Sequence, residues 1–241
     1  MIFVADLESV YISRLKDLQF RTCSFKSYQC GWRHHYWTND KPKFAKEVVT
    51  IFKEWTALKS SLPISSSTSI FVLCISTYYL FSRPDDTPYA NGCFLFDILF
   101  PETYPLVPPK VNLLTTGGCR VRFNPNLYNT GKVCLSLLGT WSGEQGEKWN
   151  SRSSTILQVL VSIQSLIFHE QPYFNEPGYE KLIGTEKGVK ASNDYNKEVR
   201  RNCVSIAILD VLTNPPPDFE DVIKLHFSLK KEKVTQVRAY K

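Results

Sequence analysis

The chain has 241 residues, 43% of them hydrophobic and 22% charged, which is enough apolar material for one well-buried domain with extensions and excludes the low-hydrophobicity regime of disorder. Its net charge of +6, from 29 basic and 23 acidic residues, is a modest excess that does not imply nucleic-acid binding. Much of that excess gathers near the C-terminus, where Lys224, Lys230, Lys231, Lys233, Arg238 and Lys241 stand against Glu232 and read as a solvated helix face or tail.

Cysteines at positions 23, 30, 74, 93, 119, 134 and 203 follow no pairing interval, which fits free thiols in a reducing compartment. Cys23, Cys30, His34 and His35 lack the paired-cysteine spacing of a zinc site, so no metal is expected. Met1 to Asp6 shows no basic stretch ahead of its apolar residues, and the apolar runs Ile70 to Phe81 and Ile156 to Phe168 fall short of the roughly 20 residues that span a bilayer. A soluble protein without membrane insertion, in the cytoplasm or also the nucleus, is the expectation.

Residues 1–40 show short apolar clusters without a sustained period and read as an unassigned appendage. Phe44, Val48, Ile51, Phe52, Trp55 and Leu58 then keep three- and four-residue spacing up to Pro63, which predicts an amphipathic helix. Ser65 to Ser69 reads as a loop. Ile70 to Phe81 and the alternating Gly92 to Phe100 read as strands around the turn chemistry of Pro84-Asp85-Asp86. Four prolines between Pro101 and Pro109 bar helix and predict a stiff, polyproline-like connector to a further strand, Val111 to Leu114. Beyond the glycine-punctuated stretch to Asn150, Thr155 to Phe168 is apolar around much of its circumference and predicts a central buried helix. Candidate helices at Asn193 to Leu212 and Phe219 to Leu229 follow, an α+β order.

The chemistry concentrates in Asn124-Pro125-Asn126 and, eight residues after Asn126, Cys134 within Gly131-Lys-Val-Cys-Leu-Ser-Leu-Leu138. A thiolate forms thioesters, and a nearby amide N–H can stabilise the oxyanion of acyl transfer. The bland alternatives are that Cys134 is a small buried hydrophobe and that the two asparagines cap the turn around Pro125.

Four segments in order, Phe100-Pro-Glu-Thr-Tyr-Pro-Leu-Val-Pro-Pro-Lys-Val111, Phe123-Asn-Pro-Asn126, Gly131 to Leu138 and Trp149 before the helix, resemble the core of ubiquitin-conjugating enzymes. The longer strings from Asn124 to Trp141 and from Gln171 to Tyr179 are similar to the large hybrid members that also act as their own ligases. The resemblance covers roughly residues 43 to 230. It implies the ubiquitin-conjugating fold of that family: N-terminal helix, antiparallel β-meander, catalytic loop, central helix and C-terminal helices. The corresponding division is a core over 41–190 and a C-terminal helical extension over 191–241.

The resemblance also implies a mechanism. Cys134 accepts the C-terminus of ubiquitin from a ubiquitin-activating enzyme, which uses ATP, and gives it up to a substrate lysine, with or without a separate ligase and with no cofactor of its own. Asn126 stabilises the oxyanion, Leu127 and Tyr128 shape the loop, and Asn175 and Glu176 take the place of gate residues near the cysteine. Three departures stand out. Asn124 replaces the histidine that usually opens the motif, Ser136 replaces an aspartate, and the lengthened segment Gly139 to Lys148 offers Trp141 as a candidate for docking substrate or packing the insert. In addition, Ile70 to Phe81 has few polar turn residues for the two strands that the family places there, so the hairpin is expected to be truncated or non-standard. Two other readings compete: a non-enzymatic module of the same fold that binds ubiquitin or a conjugating partner, and a papain-like hydrolase, for which none of His34, His35, His169 and His226 sits in a motif that pairs with Cys134.

Overall fold

Alternation along the strands divides the apolar residues between the two faces of one sheet, and each face collects its own helices. The structure, a computed structural model, describes residues 4–21, 35–36, 48–66, 69–73, 78–82 and 86–237. The sheet has five strands in sequence order, β1 (Phe20–Arg21), β2 (Ser69–Leu73), β3 (Tyr78–Ser82), β4 (Cys93–Leu99) and β5 (Lys110–Leu113). β1 lies parallel to β2, and the remaining pairs are antiparallel.

On one face Ile70, Val72, Phe94, Phe96, Ile98, Val111 and Leu113 form a core with α2 (Val48–Ser61) and the central helix α3, residues 156–167. On the other, Phe71, Leu80, Cys93 and Leu95 pack against α1 (Val4–Leu15) and α5 (Glu220–Leu229). The long helix α4, residues 186–213, serves both: Val199, Cys203, Ile206 and Ala207 join the first core, Ile208 and Val211 the second. It passes close beside Gly92, where a Cβ would lie 2.7 Å from Cys203 Sγ. A final helix, α6 (Lys231–Val237), follows.

The stretch Ile70 to Phe81 contains two strands that pair in full antiparallel register, from Ser69↔Ser82 to Leu73↔Tyr78, so the hairpin expected to be truncated is present. Its run of apolar residues reflects a sheet covered on both sides, with Ile70 and Val72 in one core and Phe71 and Leu80 in the other. The turn residues Ser76 and Thr77 lie outside the described residues, as do Phe44, Pro84-Asp85, Cys23, Cys30 and His34.

Four expectations are corrected. Residues 4–21 do not stand apart: Tyr11 and Leu15 are fully buried, and β1 extends the sheet. The proline-rich connector is a folded turn rather than an extended path, since Tyr104 N donates to Pro101 O at 2.9 Å and Leu106 N to Thr103 O at 2.8 Å; proline's fixed φ suits turns as well as polyproline geometry. The helix expected from Asn193 begins at Glu186, where Thr185 caps it by accepting from Gly188 N at 3.0 Å. Lys230 is not on a solvated face; it is buried, with Nζ donating to Asn91 Oδ1 at 2.9 Å.

The central helix is fixed at its start by a reciprocal cap. Thr155 N donates to Gln158 Oε1 at 3.0 Å, and Gln158 N donates to Thr155 Oγ1 at 3.4 Å; such caps satisfy orphan amides of the first turn. Glu54 of α2 adds its carboxylate there, accepting from Ile156 N at 2.7 Å and from the Tyr104 hydroxyl. A negative charge at a helix N-terminus is favourable, so this contact ties α2, the proline turn and α3 together.

Asp97 on β4 is buried, with the His35 backbone N–H donating to Oδ2. Burial pushes its carboxyl up to about 8. A folded-state value above the unfolded value of about 4 means that folding opposes ionisation: the cost is absent below about pH 4, grows as pH rises and is complete above pH 8. Asp97→Asn, which keeps an acceptor for His35, is therefore expected to gain stability over the parent at pH 8 and to match it near pH 4 in urea denaturation. An equal difference at both pH values contradicts this.

Candidate active site

The spacing of eight between Asn126 and Cys134 is the span of a short hairpin. Cys134 N donates to Asn126 O at 2.9 Å, Leu127 pairs with Val133, and Tyr128 N donates to Lys132 O at 3.0 Å. Asn129-Thr130-Gly131 is the loop, closed by Gly131 N donating to Tyr128 O at 2.9 Å, and Gly131 has φ +91°. A three-residue hairpin loop commonly ends on a left-handed residue, and here no side chain fits: a Cβ on Gly131 would sit 2.4 Å from Leu113 O. Gly131 O in turn accepts from Leu113 N at 2.8 Å, which fastens the hairpin to β5.

Asn126 completes the pairing with its side chain, Nδ2 donating to Cys134 O at 2.9 Å. Its Oδ1 is buried and has no hydrogen-bond partner among the described residues. Asn126 therefore binds both backbone groups of the cysteine, the N–H through its own main-chain carbonyl and the C=O through its side-chain amide, while Oδ1 stays uncommitted.

Asn124 has no exposed surface, and every group of its side chain is used. Nδ2 donates to Ile167 O at 2.7 Å and to the Tyr89 hydroxyl at 3.1 Å; Oδ1 accepts from Asn126 N at 2.8 Å and from Asn175 Nδ2 at 3.1 Å. Asn175 also donates to Leu166 O at 2.9 Å and accepts from Nε2 of His169 at 2.8 Å. The turn-capping reading thus describes Asn124, and Asn175 braces the end of α3 against the loop.

Glu176 lies on the rim and pairs with Arg122, Nη2 to Oε2 at 3.3 Å. The Arg122 guanidinium stands over the ring of Tyr128 at 4.6 Å and donates to Pro125 O at 2.6 Å. Tyr128 shapes the loop through that stack. Cys134 itself is 1% exposed. Burial raises its thiol above the usual cysteine value, while Lys132 and Arg122 pull it back down, since positive charge favours the thiolate.

The lengthened segment folds back onto Ser136. Ser136 Oγ donates to Ser142 O at 3.4 Å, and a Cβ on Gly143 would collide with Ser136 Oγ at 2.3 Å. Trp141 is half-buried directly after Thr140. Thr140 is a residue that the sequence reading passed over: Oγ1 donates to Val133 O at 2.7 Å and accepts from Leu135 N at 3.0 Å, gripping the backbone on either side of Cys134. Trp149 anchors the far end, Nε1 donating to Pro105 O at 2.8 Å. Arg122 and Tyr89 were also passed over, and His169 was weighed only as a base for Cys134; only the charge of Arg122 next to the loop offered a signal. No cluster of His, Cys, Asp or Glu among the described residues is arranged to hold a metal ion.

Hairpin, cysteine and amide stand together on an α+β scaffold, the arrangement that thiol acyl transfer needs. The family profile described as ubiquitin-conjugating enzyme matches residues 43–203, and the chain belongs to that family, whose members are transferases that work through a cysteine thioester. It is 46% identical over 243 residues to the human "Dual E2 ubiquitin-conjugating enzyme/E3 ubiquitin-protein ligase BIRC6", covering 95% of this chain and 5% of that protein. A "Probable ubiquitin-conjugating enzyme protein 17" of Caenorhabditis elegans is 43% identical over 95% of this chain and 33% of its own length. A "Probable ubiquitin-conjugating enzyme E2 R521" of Acanthamoeba polyphaga mimivirus is 47% identical over 83% of this chain and 14% of its own. The chain spans a third or less of each of these relatives.

The grip of Thr140 predicts a specific defect. Thr140→Val leaves a buried carbonyl and an amide without partners, at a cost of about 1–3 kcal/mol, and is expected to slow thioester formation; Thr140→Ser retains the hydroxyl and restores both. Chemical denaturation and a gel-based charging assay read the two effects, and a valine variant equal to the parent in both contradicts the assignment.

Proposed function

We propose that this chain is an active ubiquitin-conjugating unit that carries ubiquitin on Cys134 and passes it to lysine. The observation that carries the reading is the hairpin that pairs Asn126 with Cys134, since a module that only binds ubiquitin has no use for a nucleophile and a carbonyl-stabilising amide held together. In charging, the Cys134 thiolate attacks the thioester of the activating enzyme. A new C–S bond forms at the ubiquitin C-terminus, the old one breaks, and the activating enzyme leaves as thiolate. In discharge a lysine amine, having lost its ammonium proton to Glu176 or water, attacks the Cys134 thioester carbonyl. The C–N bond forms, the C–S bond breaks, Cys134 departs as thiolate, and the second amine proton goes to solvent. No cofactor enters either balance.

Asn126 is suited to the tetrahedral oxyanion because a single side-chain bond, Nδ2 to Cys134 O, must change for its amide to reorient. Burial, which raises the Cys134 thiol, lowers the thiolate fraction available for charging and makes a poorer leaving group in discharge, and the charges of Lys132 and Arg122 counter both effects. The partners of this cycle are ubiquitin, an activating enzyme and protein lysines, with a separate ligase or with substrate selection of its own; the dual conjugating and ligase name of the human relative supports the latter. The cycle belongs to the cytoplasm or nucleus.

Cys134→Ser is expected to trap ubiquitin as an oxyester that survives thiol reductant. Asn126→Ala is expected to charge normally but to discharge to lysine about a hundredfold more slowly. Single-turnover assays of the two steps check both, and equal loss of charging and discharge in Asn126→Ala would make the residue structural.

A further inference from the structure

Arg122 is not among the residues that the acyl-transfer reading requires, yet it touches several of them. Its Nη2 donates to Pro125 O at 2.6 Å, inside the catalytic loop, and its guanidinium lies 4.6 Å above the Tyr128 ring. The same Nη2 reaches Glu176 Oε2 at 3.3 Å, a longer bond than the one to Pro125 O. The side chains of Arg122 and Glu176 are 42% and 38% exposed. An ion pair so open to water adds little stability, so its carboxylate end can exchange while Pro125 O and the Tyr128 face keep the guanidinium in place.

We propose that Arg122 gates the acceptor subsite: it occupies the Glu176 carboxylate until the ammonium of an incoming lysine displaces it. The surroundings favour that exchange. Glu198 of α4 and Glu176 both act on Tyr195, a half-buried phenol raised to about 12, first by burial, then with Arg122 opposing the two carboxylates. Two carboxylates and the Arg122 guanidinium therefore act on one phenol, so a second cation that arrives there has a carboxylate to compete for. The groups that face this patch are Arg122, Glu176, Glu198 and Tyr195, with Lys132 Nζ also over the Tyr128 ring at 5.7 Å. Arg122 and Lys132 both favour the Cys134 thiolate, but only Arg122 pairs with Glu176. Their variants therefore separate the two influences.

The inference rests on Cys134 as the carrier of ubiquitin. The test is discharge of the charged chain to free L-lysine over a range of concentrations. Arg122→Gln is expected to lower KM for lysine about two- to fivefold, Glu176→Gln to raise it, and the double variant to match Glu176→Gln alone. Lys132→Gln and Arg122→Gln are both expected to move the pH profile of charging to higher pH, whereas Lys132→Gln leaves KM for lysine where it is. An unchanged or raised KM in Arg122→Gln, or the same fall in KM in the double variant, overturns the gate. Should Arg122→Gln fail to charge, Arg122→Lys and Glu176→Gln decide: a KM unmoved by Glu176→Gln overturns the proposal. A parent chain that forms no thiol-sensitive ubiquitin adduct overturns both this inference and the reading beneath it.

Discussion

The position of the cysteine depends on one closed set of hydrogen bonds centred on Asn124. That side chain binds the end of the central helix through Ile167 O, the Tyr89 hydroxyl, Asn175 and the backbone of Asn126. Asn126 then holds Cys134 by backbone and side chain together. A buried amide with all of its groups satisfied rigidifies what it joins, and one left half-satisfied is costly. Hence the network carries the stiffness of the two cores into a loop that has little regular structure of its own.

The departure at Asn124 is in this light a different solution to the same packing task. A primary amide offers two donors and a twofold acceptor, and all are taken here by groups on three separate elements. The substitution of Ser136 has a comparable logic: a small hydroxyl leaves room for the lengthened segment to fold back, where Gly143 passes too close for any side chain. Thr140 closes the arrangement by bonding on both sides of the cysteine. The site is thereby held from below by Asn124, from one side by Asn126 and from the other by Thr140, with Arg122 and Glu176 at its open rim.

Much of this was legible in the sequence because it is local. The spacing of Asn126 and Cys134 singled out the reactive pair, and the apolar circumference of Thr155 to Phe168 marked the central helix. What was not legible depends on partners far along the chain. In α1 Tyr11 and Leu15 stand four apart and are fully buried, but the helix that covers them lies some two hundred positions later, so the segment read as an appendage. Ile70 to Phe81 read as one apolar run because both faces of that hairpin are buried, which erases the alternation that marks a half-exposed strand. Lys230 read as surface charge because nothing nearby in sequence foretells Asn91 as its partner. The proline turn failed for another reason, since proline's fixed φ is shared by extended chain and by turns.

The central claim is that this scaffold selects one thiol among several as the carrier of ubiquitin. Cys119 is exposed and chemically the more accessible, whereas Cys134 is nearly covered; reactivity assigned by access alone would choose the former. The most direct measurement is peptide mass spectrometry of the chain after incubation with activating enzyme, ATP and ubiquitin, under non-reducing conditions that preserve thioesters. The account predicts a ubiquitin C-terminal remnant on the peptide that contains Cys134, removed by thiol reductant, with Cys119 unmodified. A remnant on Cys119, or on any cysteine other than Cys134, would contradict it.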